Sequence, residues 1–168
     1  MKKVLLLTIS LLLVSRIAAA DHIGIYTDGT GSGCNFGVGF NSTATIIHKF
    51  STGATGSRFK VIFPAGSVFI AFNTAFTTVG TLTSDVSVQY DECLTGTIVL
   101  GSMVTILNPG MMSVAPVNSL TTVTYTDCSH EDKYASAGQA SVGAAFDPCL
   151  PPDPVESSTW GKVKALYR

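Results

Sequence analysis

The densest chemistry-bearing group in the sequence is His130-Glu131-Asp132, preceded by Ser129. An imidazole beside two carboxylates can hold a divalent metal or supply a general base. The spacing works against both roles. Successive residues point apart on a regular backbone, and metal sites draw their ligands from several elements. The group therefore reads as a solvated loop, with a calcium- or zinc-binding loop as the alternative. Serines are plentiful, but no G-x-S-x-G elbow accompanies them, and His22, His48 and His130 stand at no informative spacing. Asp91-Glu92 is the one adjacent carboxylate pair of the central stretch and, beside Cys93, reads as a polar corner rather than a glycosidase pair. Asp28 to Gly33 (DGTGSG) lacks the Gly-Lys-Ser/Thr ending of a phosphate loop and the further carboxylates of a calcium loop, so it reads as a turn. No catalytic residue and no cofactor is predicted, and the expectation is a protein that is not an enzyme.

The chain has 168 residues with a formal net charge of −1, and only 12% of them are charged. No basic patch points to nucleic acid. Lys2 and Lys3, an apolar run over Val4–Val14 and the small residues Ala18-Ala19-Ala20 have the form of a signal peptide over 1–20, cleaved before Asp21. No membrane association is expected once it is removed. Export leads to an oxidising compartment, where the four cysteines Cys34, Cys93, Cys128 and Cys149 are expected to form two disulfides. Three connectivities are open; Cys34–Cys93 with Cys128–Cys149 is the preferred one. A zinc site is disfavoured because no two cysteines stand at C-x-x-C spacing.

The elements that would position these groups read as short strands. Phe59, Val61 and Phe63 alternate with Arg58 and Lys60, and Val86, Val88 and Tyr90 alternate with Ser87 and Gln89, which is the period of a half-buried strand. His22–Thr27, Thr43–Phe50, Gly96–Leu107, Met111–Val117 and Thr121–Thr126 are further strands, and Ala135–Ala144 an edge strand. His48 reads as a packed or edge residue. Ser67–Phe72 is a continuous apolar run, expected to be covered on both faces. Ser51-Thr52-Gly53, Pro64-Ala65-Gly66 and Asn108-Pro109-Gly110 read as turns, and Gly101 as a bulge. The prediction is an all-β, two-sheet antiparallel β-sandwich of immunoglobulin-like type over 21–150, with eight or nine strands; a jelly roll or small barrel is the alternative. A proline-rich linker over 151–157 and a short amphipathic helix over 158–168 follow. Trp160, Val163 and Tyr167 fall on one helical face with Leu166 beside them, a candidate partner-binding surface.

The runs HKFSTGATGSRFKV, AFTTVG and SVQYDECLTGTIVLGSM, with the ending VESSTWGKVKALYR, resemble a group of small exported bacterial β-sandwich proteins of unknown function. The resemblance covers most of the chain after the signal and supplies no catalytic residues. The central pattern is also similar, at fold level, to cohesin-type and immunoglobulin-like sandwiches. The functional expectation is an exported, non-catalytic module with a binding or structural role in the cell envelope or outside the cell. Its location is extracytoplasmic: periplasm, cell surface or medium. The expected partner is an envelope protein or a surface glycan, a glycan-binding module being the further alternative. The sequence carries no signal for an oligomeric state.

Overall fold

The computed structural model describes residues 21–117, 120–144 and 149. The expected signal peptide, the proline-rich linker and the helix of Trp160, Val163, Leu166 and Tyr167 lie outside the described residues. Ten strands form among the described residues, one or two more than the sequence predicts: β1 (His22–Tyr26), β2 (Asn35–Phe36), β3 (Gly39–Ile62), β4 (Val68–Asn73), β5 (Thr77–Thr81), β6 (Asp85–Leu107), β7 (Gly110–Ala115), β8 (Val123–Asp127), β9 (Asp132–Ala137) and β10 (Gln139–Val142). The fold is the predicted all-β sandwich.

Two long antiparallel strands, β3 and β6, run through both layers. In the first layer the N-terminal half of β3 lies between β1 and the C-terminal half of β6, which β4 flanks. In the second, the C-terminal half of β3 lies between the N-terminal half of β6, flanked by β5, and β8, flanked by β9. β7, β10 and β2 continue this layer past the end of β3. Most pairings are antiparallel; β1–β9 and β2–β10 are parallel. The strands bend where register shifts occur, between His48 and Gly56 in β3. Bulges of this kind increase local twist and let one strand serve two sheets.

Period-two alternation survives into the core. Phe59, Val61, Val86, Val88 and Tyr90 are buried together with Ile23, Ile25, Ile46, Leu100, Met103 and Met112. Three expectations are corrected. Ser51–Gly53 does not end a strand: its turn chemistry makes a bend inside β3. Ser67–Phe72 is not covered on both faces: among the described residues β4 pairs only with β6, and Val68 and Ile70 are half exposed. The cysteines pair as Cys34–Cys149 and Cys93–Cys128, with Cα atoms 5.3 and 5.4 Å apart, in place of the preferred connectivity.

The register explains the second pair. Ala54 is opposite Leu94 on one side and Asp127 on the other, which brings Cys93 and Cys128 together over β3. The residue beneath them is Gly53, at φ 148°, where a Cβ would lie 2.8 Å from the Cys128 sulfur and 3.5 Å from that of Cys93. Only glycine lets the bridge cross so close to the backbone at that dihedral.

Candidate functional site

A groove of about 490 Å³ opens on the outer face of the second layer. Cross-strand register builds it in two rows. One row runs Val79, Ser87, Arg58, Thr124 and Tyr134 across β5, β6, β3, β8 and β9. The next runs Thr77, Gln89, Gly56, Thr126 and Asp132. Gly56 has no side chain, so the second row dips at its centre between Gln89 and Thr126. Arg58 donates through Nε and Nη2 to the Asp85 carboxylate at 3.0 and 2.5 Å, which holds Asp85 below the usual carboxylate range. Thr126 donates to Asp132 at 3.2 Å. Tyr134 is 73% exposed, and Leu120 and His130 close the rim. The surface is polar, with a guanidinium and a phenol standing out from a rigid sheet.

Of the His130-Glu131-Asp132 group, His130 and Asp132 reach this groove. Glu131 turns to Lys133, whose ammonium lies 2.5 Å from Glu131 and 3.6 Å from Asp127. Asp127 accepts the backbone N–H groups of Ser129 and Glu131 at 2.8 and 2.9 Å, which lowers its pKa and shapes a tight turn with His130 at φ 62°. Two of the loop's carboxylates are thus already answered by a lysine. Among the described residues no group of three His, Cys, Asp or Glu side chains is placed to hold a metal ion. Asp28 is likewise engaged, its carboxylate accepting from Thr30, Gly31 and Ser32. Asp91 and Glu92 are exposed on the bend of β6.

Inside the sandwich, directly behind the groove, lies a polar network that no spacing in the sequence announces. Asp21 accepts from His48 Nε2 and from the Tyr125 hydroxyl, each at 3.0 Å. With Nε2 protonated, His48 Nδ1 accepts from the Ser57 hydroxyl at 3.4 Å, and Tyr90 donates to Ser57 Oγ. Burial pushes the His48 pKa down against the opposing pull of Asp21, and it pushes the Tyr90 hydroxyl upward. Ser57, His48 and Asp21 are the residue types of a hydrolase triad. Ser57 is only 2% exposed and its oxygen is capped by Tyr90, so an acyl group has no line of approach. The network ties β3, β6 and β8 to the residue that precedes β1.

Sequence reasoning placed Arg58 and Gln89 on outward faces but assigned them no role, and it passed over Tyr134 and Gly56. The usable signal was the alternation itself. Outward positions of two strands become a site only when register sets them side by side.

No protein-family model and no curated protein matches the sequence. Solved structures do match in fold. A cohesin module from the Clostridium perfringens family 33 glycoside hydrolase aligns at TM-score 0.52 and 9% identity over 73% of this chain and 96% of that one. A non-cellulosomal cohesin from the hyperthermophilic archaeon Archaeoglobus fulgidus aligns at 0.52 and 9% over 75% and 93%. A chain of the CaDoc0917–CaCohA2 complex aligns at 0.50 and 11% over 73% and 99%. The chain has a cohesin-type β-sandwich fold.

Proposed function

We propose that this protein is an exported, non-catalytic module that binds a protein partner through the outer face of β5, β6, β3, β8 and β9. The observation that carries the reading is the two-row face around Gly56. It is a shallow polar groove on a paired sheet, and it presents Tyr134 and Arg58, the residue types enriched at the energetic centres of protein interfaces. The cohesin-type fold supports it, since one matching chain belongs to a two-protein complex. Export is supported by the signal-like residues 1–20 and by two disulfides, which persist in oxidising compartments. The working domain would then be 21–150, with 151–157 as a linker and 158–168 as a separate terminal element. A glycan-binding reading stands second, favoured by the exposed Tyr134 ring on the same strand as Asp132, with Gln89 on the same face.

A photo-crosslinking amino acid at Gln89, in the full chain expressed in its native host, tests the first reading. A discrete protein adduct that disappears on Arg58→Glu is expected. No adduct, or an adduct equally strong from Phe40 at the far end of β3, refutes it. Retention of the purified chain on a glycan array, lost in Tyr134→Ala, would transfer the face to the second reading.

A further inference from the structure

The Cys93–Cys128 bridge lies at one end of the groove on the outer face, beyond Thr55 and Thr126. Between Gln89, opposite Gly56, and Leu94, opposite Ala54, β6 carries four residues where β3 carries only Thr55. That surplus, Tyr90–Cys93, makes a wide bulge in β6, and the bridge ties it to Cys128 just past the end of β8. β6 and β8 flank β3 on opposite sides, so ordinary strand spacing would put them about 9.5 Å apart. The Cys93 and Cys128 Cα atoms are 5.4 Å apart. The bridge therefore draws the two flanking strands together across β3. Its Cys128 end also roots the Asp127–Lys133 turn, from which His130 and Asp132 reach the groove. Both of these cysteines are exposed, whereas Cys34 of the other bridge is 1% exposed.

We propose that the Cys93–Cys128 bridge is a redox switch on the partner-binding face, closed in the binding form and opened by a dithiol. The proposal rests on the binding reading above. In an oxidising compartment the closed form is the resting state. To open it, a thiolate of the reductant attacks one sulfur and forms a mixed disulfide, and the second thiol of the reductant then resolves it. The protein gains two electrons and two protons as the Cys93 and Cys128 thiols, and the reductant leaves as its own disulfide. Once the bridge is open, β6 and β8 relax toward ordinary spacing. This end of the groove widens, and the turn carrying His130 loses its anchor. The sandwich persists, because β3 pairs with β6 on both sides of the bulge and with β8 over Gly56–Arg58. The second bridge stays closed, since a thiolate cannot reach buried Cys34.

Titration of the full disulfide-bonded chain with dithiothreitol, with thiols trapped by iodoacetamide and mapped by mass spectrometry, tests the selectivity. Cys93 and Cys128 should be alkylated at a dithiol concentration at least about tenfold below that needed for Cys34 and Cys149, with the far-ultraviolet circular dichroism unchanged. In the selectively reduced chain the nuclear magnetic resonance signals of the Gln89, His130 and Asp132 amides should shift, and those of Val61 and Val114 should not. Affinity for the partner crosslinked from Gln89 should fall about tenfold or more. Cys93→Ala with Cys128→Ala should bind as weakly as the reduced chain and ignore dithiol. Alkylation of Cys34 and Cys149 at the same dithiol concentration would overturn the proposal. So would selective opening that leaves the Gln89 and His130 amides unmoved, or an affinity equal in the closed and open forms. Failure of the binding reading has a different signature: the amides shift on reduction, but Gln89 captures no protein.

Discussion

Ser57 and Arg58 are neighbours in β3, and their side chains leave the sheet in opposite directions. Ser57 enters a network of Asp21, His48, Tyr90 and Tyr125 in which every described buried side-chain polar atom has a partner. Among the described residues Arg58 hydrogen-bonds only Asp85, in an ion pair about half open to water. Around it, Gln89 and Tyr134 make no side-chain hydrogen bond within the described part of the chain. The inner groups are satisfied by the fold and cannot be offered to anything else; leaving one unpaired costs its full desolvation. The outer groups are satisfied by water and can exchange it for a partner. Chemistry that looks catalytic by residue type therefore sits on the structural side of the sheet, and the plain-looking side carries the groups that the proposed interface would use.

The contrast breaks if the inner network turns out to be dispensable. Asp21→Ala removes the acceptor of both the His48 Nε2–H and the Tyr125 hydroxyl and should cost about 2–5 kcal/mol in denaturant unfolding, since each buried donor left unpaired costs about 1–3 kcal/mol. Ser57→Ala leaves Tyr90 and His48 short of a partner and should cost about 1–3 kcal/mol. The parent chain should also show no labelling of Ser57 by an organophosphonate, and labelling would mean that the serine is reachable after all.

The pH dependence follows from the same burial. The folded pKa of His48 lies below its ordinary value of 6.5, so the unfolded chain binds more protons just under that pH. Stability should be level above about pH 6.5 and fall as the pH drops through the folded pKa, with His22 contributing in the same sense. Tyr90 acts at the other end. Its folded pKa is raised, so its contribution is complete below about pH 10 and is lost as the pH climbs beyond that. His48→Gln should flatten the acid limb and leave the alkaline limb in place; an unchanged acid slope would show that His48 is not the group responsible.

The strands whose alternation was local were legible in the sequence. Phe59 with Val61, and Val86 with Val88 and Tyr90, point inward as their spacing requires. What was not legible depends on pairing between distant segments. Ser51–Gly53 and Asp91–Cys93 have the composition of turns, yet each is a bend within a strand, because hydrogen bonding to neighbouring strands resumes beyond it. Ser67–Phe72 has the uniform apolarity of a covered strand, but it lies at an edge because, among the described residues, no strand besides β6 pairs with β4. The cysteine connectivity followed register rather than proximity in sequence. The buried network joins residues 21, 48, 57, 90 and 125, and only the folded register could have brought them together.

The smallest predicted effect on stability sharpens the comparison most. Arg58→Ala deletes an ion pair in which both side chains are well exposed, and such pairs are screened by water and salt. Its effect on unfolding should stay within about 0.5 kcal/mol, several-fold less than that of Ser57→Ala one residue away. Binding should respond in the opposite order. A central arginine lost from an interface commonly costs about 2 kcal/mol or more, roughly thirty-fold in affinity, whereas Ser57 touches no partner. Affinity for the crosslinked partner, measured alongside unfolding for both variants, separates the roles. If Arg58→Ala weakened the fold as much as Ser57→Ala, or left affinity unchanged, the division of β3 into a structural face and a binding face would fail.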